Sequence, residues 1–138
     1  MTKAEQIDMA LTHLRQMHKE TVFARLSLDE GKLRRYLEWH LDAGQFISIS
    51  PRHIMLGRMD PAFFSDDQTA SDVLLYVRKD ARGRGYGRSA LESFLRWAKE
   101  RDARLITVGQ STGVQQSDFE SIAEASGLVR LGSVWGVC

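Results

Sequence analysis

The chain has 138 residues, 43% of them apolar, with 19 basic side chains against 18 acidic ones for a net charge of +1. That length fits one domain spanning residues 1–138 with a core of its own. The charge balance argues against a nucleic-acid partner, and the absence of an apolar run near ~20 residues argues against a membrane span. Met1–Gln6 lacks the apolar stretch of a secretory signal, and the lone Cys138 leaves no internal disulfide or cysteine-based zinc site. The expectation is a soluble, cytoplasmic protein without a metal.

Residues 3–18 place Ile7, Leu11, Leu14 and His18 on one helical stripe, with Thr2 and Glu5 at capping-box spacing. A second box, Ser27-Leu28-Asp29-Glu30, opens a helix with Leu33, Tyr36, Leu37, His40 and Leu41 on one face, and Gly44 is its stop. Phe46–Ser50 alternates apolar and polar residues, as does part of Ile54–Met59, and Pro51-Arg52 between them predicts an antiparallel hairpin. Pro61–Ser71 has no period and reads as a loop. Val73–Val77 is a continuous apolar run, the pattern of a central strand buried on both faces.

Glycines then cluster at Gly83, Gly85 and Gly87, after which Leu91, Phe94, Leu95 and Ala98 keep helical spacing to about Arg101. Leu105–Val108 is another buried-strand candidate. Ser117-Asp118-Phe119-Glu120 is a third capping box, its helix stops at Gly127, and the tail Leu128–Val137 predicts one or two short strands. Without repeats, low-complexity tracts or a linker, these elements form a single α/β or α+β unit.

Charge is distributed unevenly. Arg78, Lys79, Arg82, Arg84 and Arg88 face only Asp80 in their stretch, whereas Asp60, Asp66, Asp67 and Asp72 share theirs with no base. Neighbouring patches of opposite sign suit a protein that holds an anionic ligand beside a cationic one; solvated loops of mixed charge are the other reading.

The stretch Val77–Ser89 carries the chemistry. A strand delivers the chain into a glycine turn and a helix leaves it, so backbone amides at the positive end of the helix dipole converge on an anion site. Glycine permits the positive-φ conformations this requires and keeps Cβ atoms out of the phosphate's way. Arg82, Arg84 and Arg88 could add charge-assisted contacts. The glycines run G-x-G-x-G, which is not the dinucleotide fingerprint, and the Walker lysine is missing.

The spacing Arg82-x-x-Gly85-x-Gly87 between strand and helix resembles the pyrophosphate loop of the GNAT superfamily of acetyl-CoA-dependent N-acetyltransferases. Trp97-Ala98, the Arg104–Val108 strand and the helix ending at Gly127-Leu128 follow in the family's order. The pattern from Phe64 through Ser71-Asp72 to Val77 looks like a subgroup of small, often phage-encoded members. The resemblance implies a mixed, mostly antiparallel sheet flanked by about four helices and splayed between Val73–Val77 and Leu105–Val108, the family's fourth and fifth strands. It assigns acetyl-CoA to Leu75, Tyr76 and Val77 and to Arg82, Gly83, Arg84, Gly85, Tyr86, Gly87, Arg88 and Ser89. The implied reaction is direct attack by an amine, small or peptidyl, in a ternary complex, and the assembly could be a homodimer.

Acetyl transfer needs a neutral amine, and lysine-like amines with pKa about 10.4 must first lose a proton. Asp72 is the candidate base or amine-orienting carboxylate, and Asp66 and Asp67 are candidates for attracting a cationic acceptor. Tyr36, Trp39, Phe63 and Phe64 could line an acceptor pocket or belong to the core, and Ser111 and Thr112 could touch pantetheine or form a polar loop. His18, His40 and His53 have no metal-ligand spacing. Many family members carry a tyrosine as general acid where this chain has Ala123, and no tyrosine follows Tyr86. Two alternatives therefore stay open: a catalytically silent CoA-binding or virion-associated protein on the same scaffold, and a module that engages a host protein.

Overall fold

The structure, a computed structural model, describes residues 1–109 and 116–137, with backbone alone at 116 and 117. Helix α1 (Lys3–Glu20), a short 3₁₀ turn (Val22–Arg25) and α2 (Glu30–Asp42) precede strands β1 (Phe46–Ser50), β2 (His53–Pro61) and β3 (Gln68–Val77). A 3₁₀ turn (Lys79–Ala81), α3 (Tyr86–Glu100), β4 (Leu105–Thr107) and α4 (Gln116–Ala125) follow. The sheet order is β1-β2-β3-β4; the first two pairings are antiparallel, and the third, reached by the crossover through α3, is parallel. This is the mixed, mostly antiparallel sheet with four α-helices that the sequence predicts.

Each face of the sheet carries one core. Ile54, Leu56 and Tyr76 pack against Ile7, Leu11 and Leu14 of α1 and Leu37 of α2. On the other face, Phe46, Met55 and Ala70 pack against Ala90, Leu91, Phe94, Leu95 and Ala98 of α3. Gly57 lets α3 approach, since a Cβ there would lie 2.4 Å from the Phe94 ring.

The Thr2–Glu5 box forms as predicted, with the Glu5 N–H donating to Thr2 Oγ1 at 3.1 Å. Several expectations need correction. Asp29, not Ser27, caps α2, accepting from the Lys32 N–H at 3.0 Å. Pro61–Ser71 is not all loop: β2 runs to Pro61 and β3 begins at Gln68, with Asp60↔Thr69 and Pro61↔Gln68 in register. This end of the hairpin reaches past β1, whose pairing stops at Gly57; of residues 61–71 only Ala70 is buried in the core, which is too little to write an alternation, and the missing proline N–H faces no described neighbour. Val73–Val77 is not buried on both faces, because Val73 is 40% exposed. Leu105 is likewise exposed, at the sheet's edge.

The α4 helix starts at Gln116, so Ser117 lies inside its first turn rather than at its cap. Leu128 packs on the α3 core, but residues 129–137 form no strand. Strand propensity is expressed only against a neighbouring strand or surface, and Val129, Leu131, Val134 and Trp135 stand exposed without one. Among the described residues no helix is long and apolar enough to cross a membrane, and no group of three or more His, Cys, Asp or Glu could hold a metal ion.

Candidate active site

The glycine turn lies between the end of β3 and the start of α3. Gly83 (φ +79°) and Gly85 (φ +87°) both adopt the left-handed conformation, and Gly85 is the N-cap of α3. Among the described residues, a Cβ on either would meet nothing within 4 Å, which leaves the space before the turn open to a ligand. The first bond closing the helix is Ser89 N–H to the Gly85 carbonyl at 3.0 Å. The N–H groups of Gly85–Arg88 precede it and have no intrahelical acceptor, which leaves them for an anion. Gly87 is different: it is buried, with its Cβ position 3.4 Å from Ile122 of α4 and 3.7 Å from Val77, and it seats the helix start on the sheet. Tyr86 lies against the His53 ring at 5.6 Å.

The three arginines do different things. Arg84 is exposed beside the turn, and Arg88 pairs with Glu92 one helical turn on at 3.0 Å. Arg82 turns away from the open space; its Nε donates to the Val77 carbonyl and its Nη2 to Glu20 Oε2, both at 3.0 Å.

The edge of β3 opens beyond Ser71. Its pairing with β4 covers only Thr69–Ser71, and there the two strands part. At the same place the β2–β3 register jumps from Gly57↔Asp72 to Leu56↔Leu74, which makes Val73 the extra residue of a β-bulge. Arg78 N–H donates toward β2, to the Arg52 carbonyl at 2.9 Å. Backbone groups alternate sides along a strand, so Leu75 and Val77 turn theirs to the vacated edge while Tyr76 bonds toward β2. Among the described residues, the backbone groups left to meet a ligand along this edge are therefore those of Leu75 and the N–H of Val77, whose carbonyl Arg82 already occupies. Tyr76 contributes its side chain elsewhere, donating its hydroxyl to Glu20 at 3.0 Å. Burial and the Glu20 carboxylate push that hydroxyl's pKa up to about 12.

Asp72 sits where the strands part. Its Oδ1 accepts from the Gly109 N–H at 3.1 Å, across the mouth of the gap. Burial raises its pKa to about 6, against the opposing pull of the Gly109 amide and its own. A carboxylate with that pKa can accept a proton near neutral pH far better than an ordinary aspartate.

The structure does not gather every candidate here. Asp66 and Asp67 lie in the loop joining β2 to β3, at the end of β3 opposite the glycine turn, and both are exposed. Phe63 and Phe64 project from the same loop, stacked edge to face at 5.0 Å, with Phe63 fully exposed. Trp39 is 46% exposed, with Arg58 over its ring, while Tyr36 bonds His40 Nδ1 at 3.3 Å. His40 is fully buried and bonds the Phe46 carbonyl at 2.7 Å, which makes it a core histidine. His53 is held by the Ser48 and Ser50 hydroxyls, and His18 bonds the Leu26 carbonyl. Ser111 and Thr112 lie outside the described residues. Sequence reasoning missed Glu20 and His13, which sit on the buried side of α1 beside Tyr76. The only signal for Glu20 was an acidic residue in the helix's last turn, where the dipole disfavours it.

A family model described as the acetyltransferase (GNAT) family matches residues 12–123. No curated protein matches the sequence. Among solved structures, an aminoglycoside acetyltransferase, meta-AAC0020 from an uncultured soil metagenomic sample, in complex with sisomicin, superposes with a TM-score of 0.69 at 12% identity, covering 100% of this chain and 91% of that one. AAC(6')-Iy in complex with the bisubstrate analog CoA-S-monomethyl-acetylneamine gives 0.63 at 18% identity over 93% and 90%. Glucosamine-6-phosphate N-acetyltransferase from Arabidopsis thaliana gives 0.61 at 14% over 82% and 80%. At such identities the likeness is one of fold.

Proposed function

This chain belongs to the GNAT acetyltransferase family, and we propose that it moves an acetyl group from acetyl-CoA to an amine by direct attack in a ternary complex. The observation that carries this is the positive-φ glycine turn opening α3 at the end of β3, just where β3 has lost its parallel neighbour. The turn's amides would hold the pyrophosphate, with Arg84 and Arg88 adding charge, and the backbone of Leu75 and the Val77 N–H would meet the pantetheine and thioester. The amine nitrogen forms a bond to the thioester carbonyl carbon as the C–S bond breaks. CoA leaves as the thiolate, and the amine proton passes to Asp72, directly or through a water. Asp66 and Asp67 would draw a cationic acceptor toward the protein.

The comparison proteins include enzymes named for aminoglycosides and for glucosamine-6-phosphate, both amine-bearing sugars, which makes such compounds natural members of an acceptor panel. The test is thiol release from acetyl-CoA over aminoglycosides, amino sugars, polyamines, amino acids and lysine peptides. Turnover with any acceptor supports the reading. A second reading has its own observation, the alanine at Ala123 in place of the family's common tyrosine, and is a protein that binds CoA without turnover. Calorimetry showing CoA binding with no thiol release across the panel would select it, while a failure to bind CoA would point to an interaction module.

A further inference from the structure

Glu20 ends α1, sixty-two residues before Arg82, yet its carboxylate gathers three donors. Arg82 Nη2 and the Tyr76 hydroxyl both donate to Oε2 at 3.0 Å, and Gln16 Nε2 donates to Oε1 at 3.1 Å. The Arg82 guanidinium also donates to the Val77 carbonyl and lies over the Tyr76 ring, 5.8 Å from its centroid. The Glu20 and Arg82 side chains are 20% and 17% exposed, whereas the partners in seven other ion pairs are 36–71% exposed. Exposed pairs of that kind are worth little, but a carboxylate this enclosed is costly to leave unpaired. Burial opposes its ionisation, yet the Gln16, Tyr76 and Arg82 contacts together hold its pKa below the usual range.

The arrangement makes Arg82 a strut, matched in charge by α1 and fastened to the last carbonyl of β3. We propose that Glu20 is a positioning residue for the acyl donor: by holding Arg82 back, it fixes the Val77 edge and the turn amides in one geometry and keeps the guanidinium off the phosphates. This rests on the acetyl-CoA reading above. It also sets the sign of a mutant cycle. Removing Arg82 alone strands a carboxylate behind an anion site, where it repels phosphate as well as loosening the turn. Removing both partners abolishes that repulsion.

The experiment is titration calorimetry of acetyl-CoA with wild type, Glu20→Gln, Arg82→Gln and the double variant at low and high salt, with melting followed alongside. The expected result is binding about tenfold weaker in Arg82→Gln, about threefold weaker in Glu20→Gln, and partial recovery in the double variant, within the range that residues touching no ligand can exert. The Arg82→Gln deficit should shrink with salt, as screened repulsion does and a folding defect does not. If Glu20→Gln does not fold, Tyr76→Phe removes one donor from the same carboxylate and should weaken binding about twofold in a folded protein. Glu20→Gln or, in its place, Tyr76→Phe binding as well as wild type, or a double variant no better than Arg82→Gln, would overturn the inference while leaving the cofactor reading standing. A wild type that binds no acetyl-CoA would overturn both.

Discussion

A carboxylate placed at the mouth of a sheet's gap has two consequences that pull in opposite directions. Burial raises the Asp72 pKa to about 6, so it can take an amine proton near neutrality, and Asp72→Asn should lower kcat about 10²-fold with little change in the KM for acetyl-CoA. Stopped-flow or steady-state thiol release across pH, with an active acceptor, checks this; an unchanged kcat would return the proton to water. The same burial makes the ionised form costly in the fold. A carboxyl raised in the folded state stabilises below its unfolded pKa, and that contribution is lost as pH rises through about 6. The amide in Asp72→Asn keeps an acceptor for Gly109 and never ionises, so urea unfolding near neutral pH should show the variant more stable by an order of 2 kcal/mol. Gly85 makes the complementary case in the backbone. With φ at +87° and open space where a Cβ would project, Gly85→Val should strain the helix start and crowd the anion. Calorimetry should find acetyl-CoA binding lost with the fold intact, and unchanged affinity would refute the turn as the phosphate site.

At the scale of elements, legibility followed the core. The α1 and α3 stripes and the β1–β2 hairpin were readable because one face of each is buried, and burial writes a period into the sequence. The glycine turn was readable because its left-handed residues admit few alternatives. The outer part of the β2–β3 hairpin was not readable: Asp60, Pro61 and Gln68 are exposed, so no periodicity marks the pairing. Neither was the bulge at Val73, which depends on register with β2, nor the Glu20–Arg82 pair, which depends on where α1 ends in space. That hairpin carries Asp66 and Asp67 about five residues before Asp72, roughly 17 Å along an extended strand, which is too far for contact with the same amine. Their influence on an acceptor must therefore be long-range. Changing both to Asn should lower kcat/KM for a cationic amine at low ionic strength, flatten its salt dependence and leave acetyl-CoA affinity alone. A salt profile identical to wild type would leave them as loop solvation.

For the whole molecule, acid sets buried histidines against a partly buried aspartate. His13, His40 and His53 are all lowered from the ordinary histidine pKa, chiefly by burial: His13 and His40 gain some of it back from backbone carbonyls, and His53 loses more to the neighbouring His13. A histidine depressed in the fold takes up its proton on unfolding, so its contribution is present above about pH 6.5 and is lost as pH falls toward the folded value. Asp72 works the other way, because the folded state already holds its proton between about pH 4 and 6 while the unfolded chain does not. With three groups against one, unfolding should take up protons on balance below about pH 6.5, and each net proton is worth about 1.4 kcal/mol per pH unit. Stability measured by urea unfolding should therefore fall steadily from pH 7 to 5. Asp72→Asn removes the one opposing group, so the variant that is more stable near neutrality should also lose stability more steeply in acid. His40 is one lever on that slope, since its ring is fully buried and already bonded to the Tyr36 hydroxyl and the Phe46 carbonyl. His40→Gln, with no group to protonate, should flatten the curve. A slope equal to wild type in that variant would show that His40 is not among the groups that set acid stability.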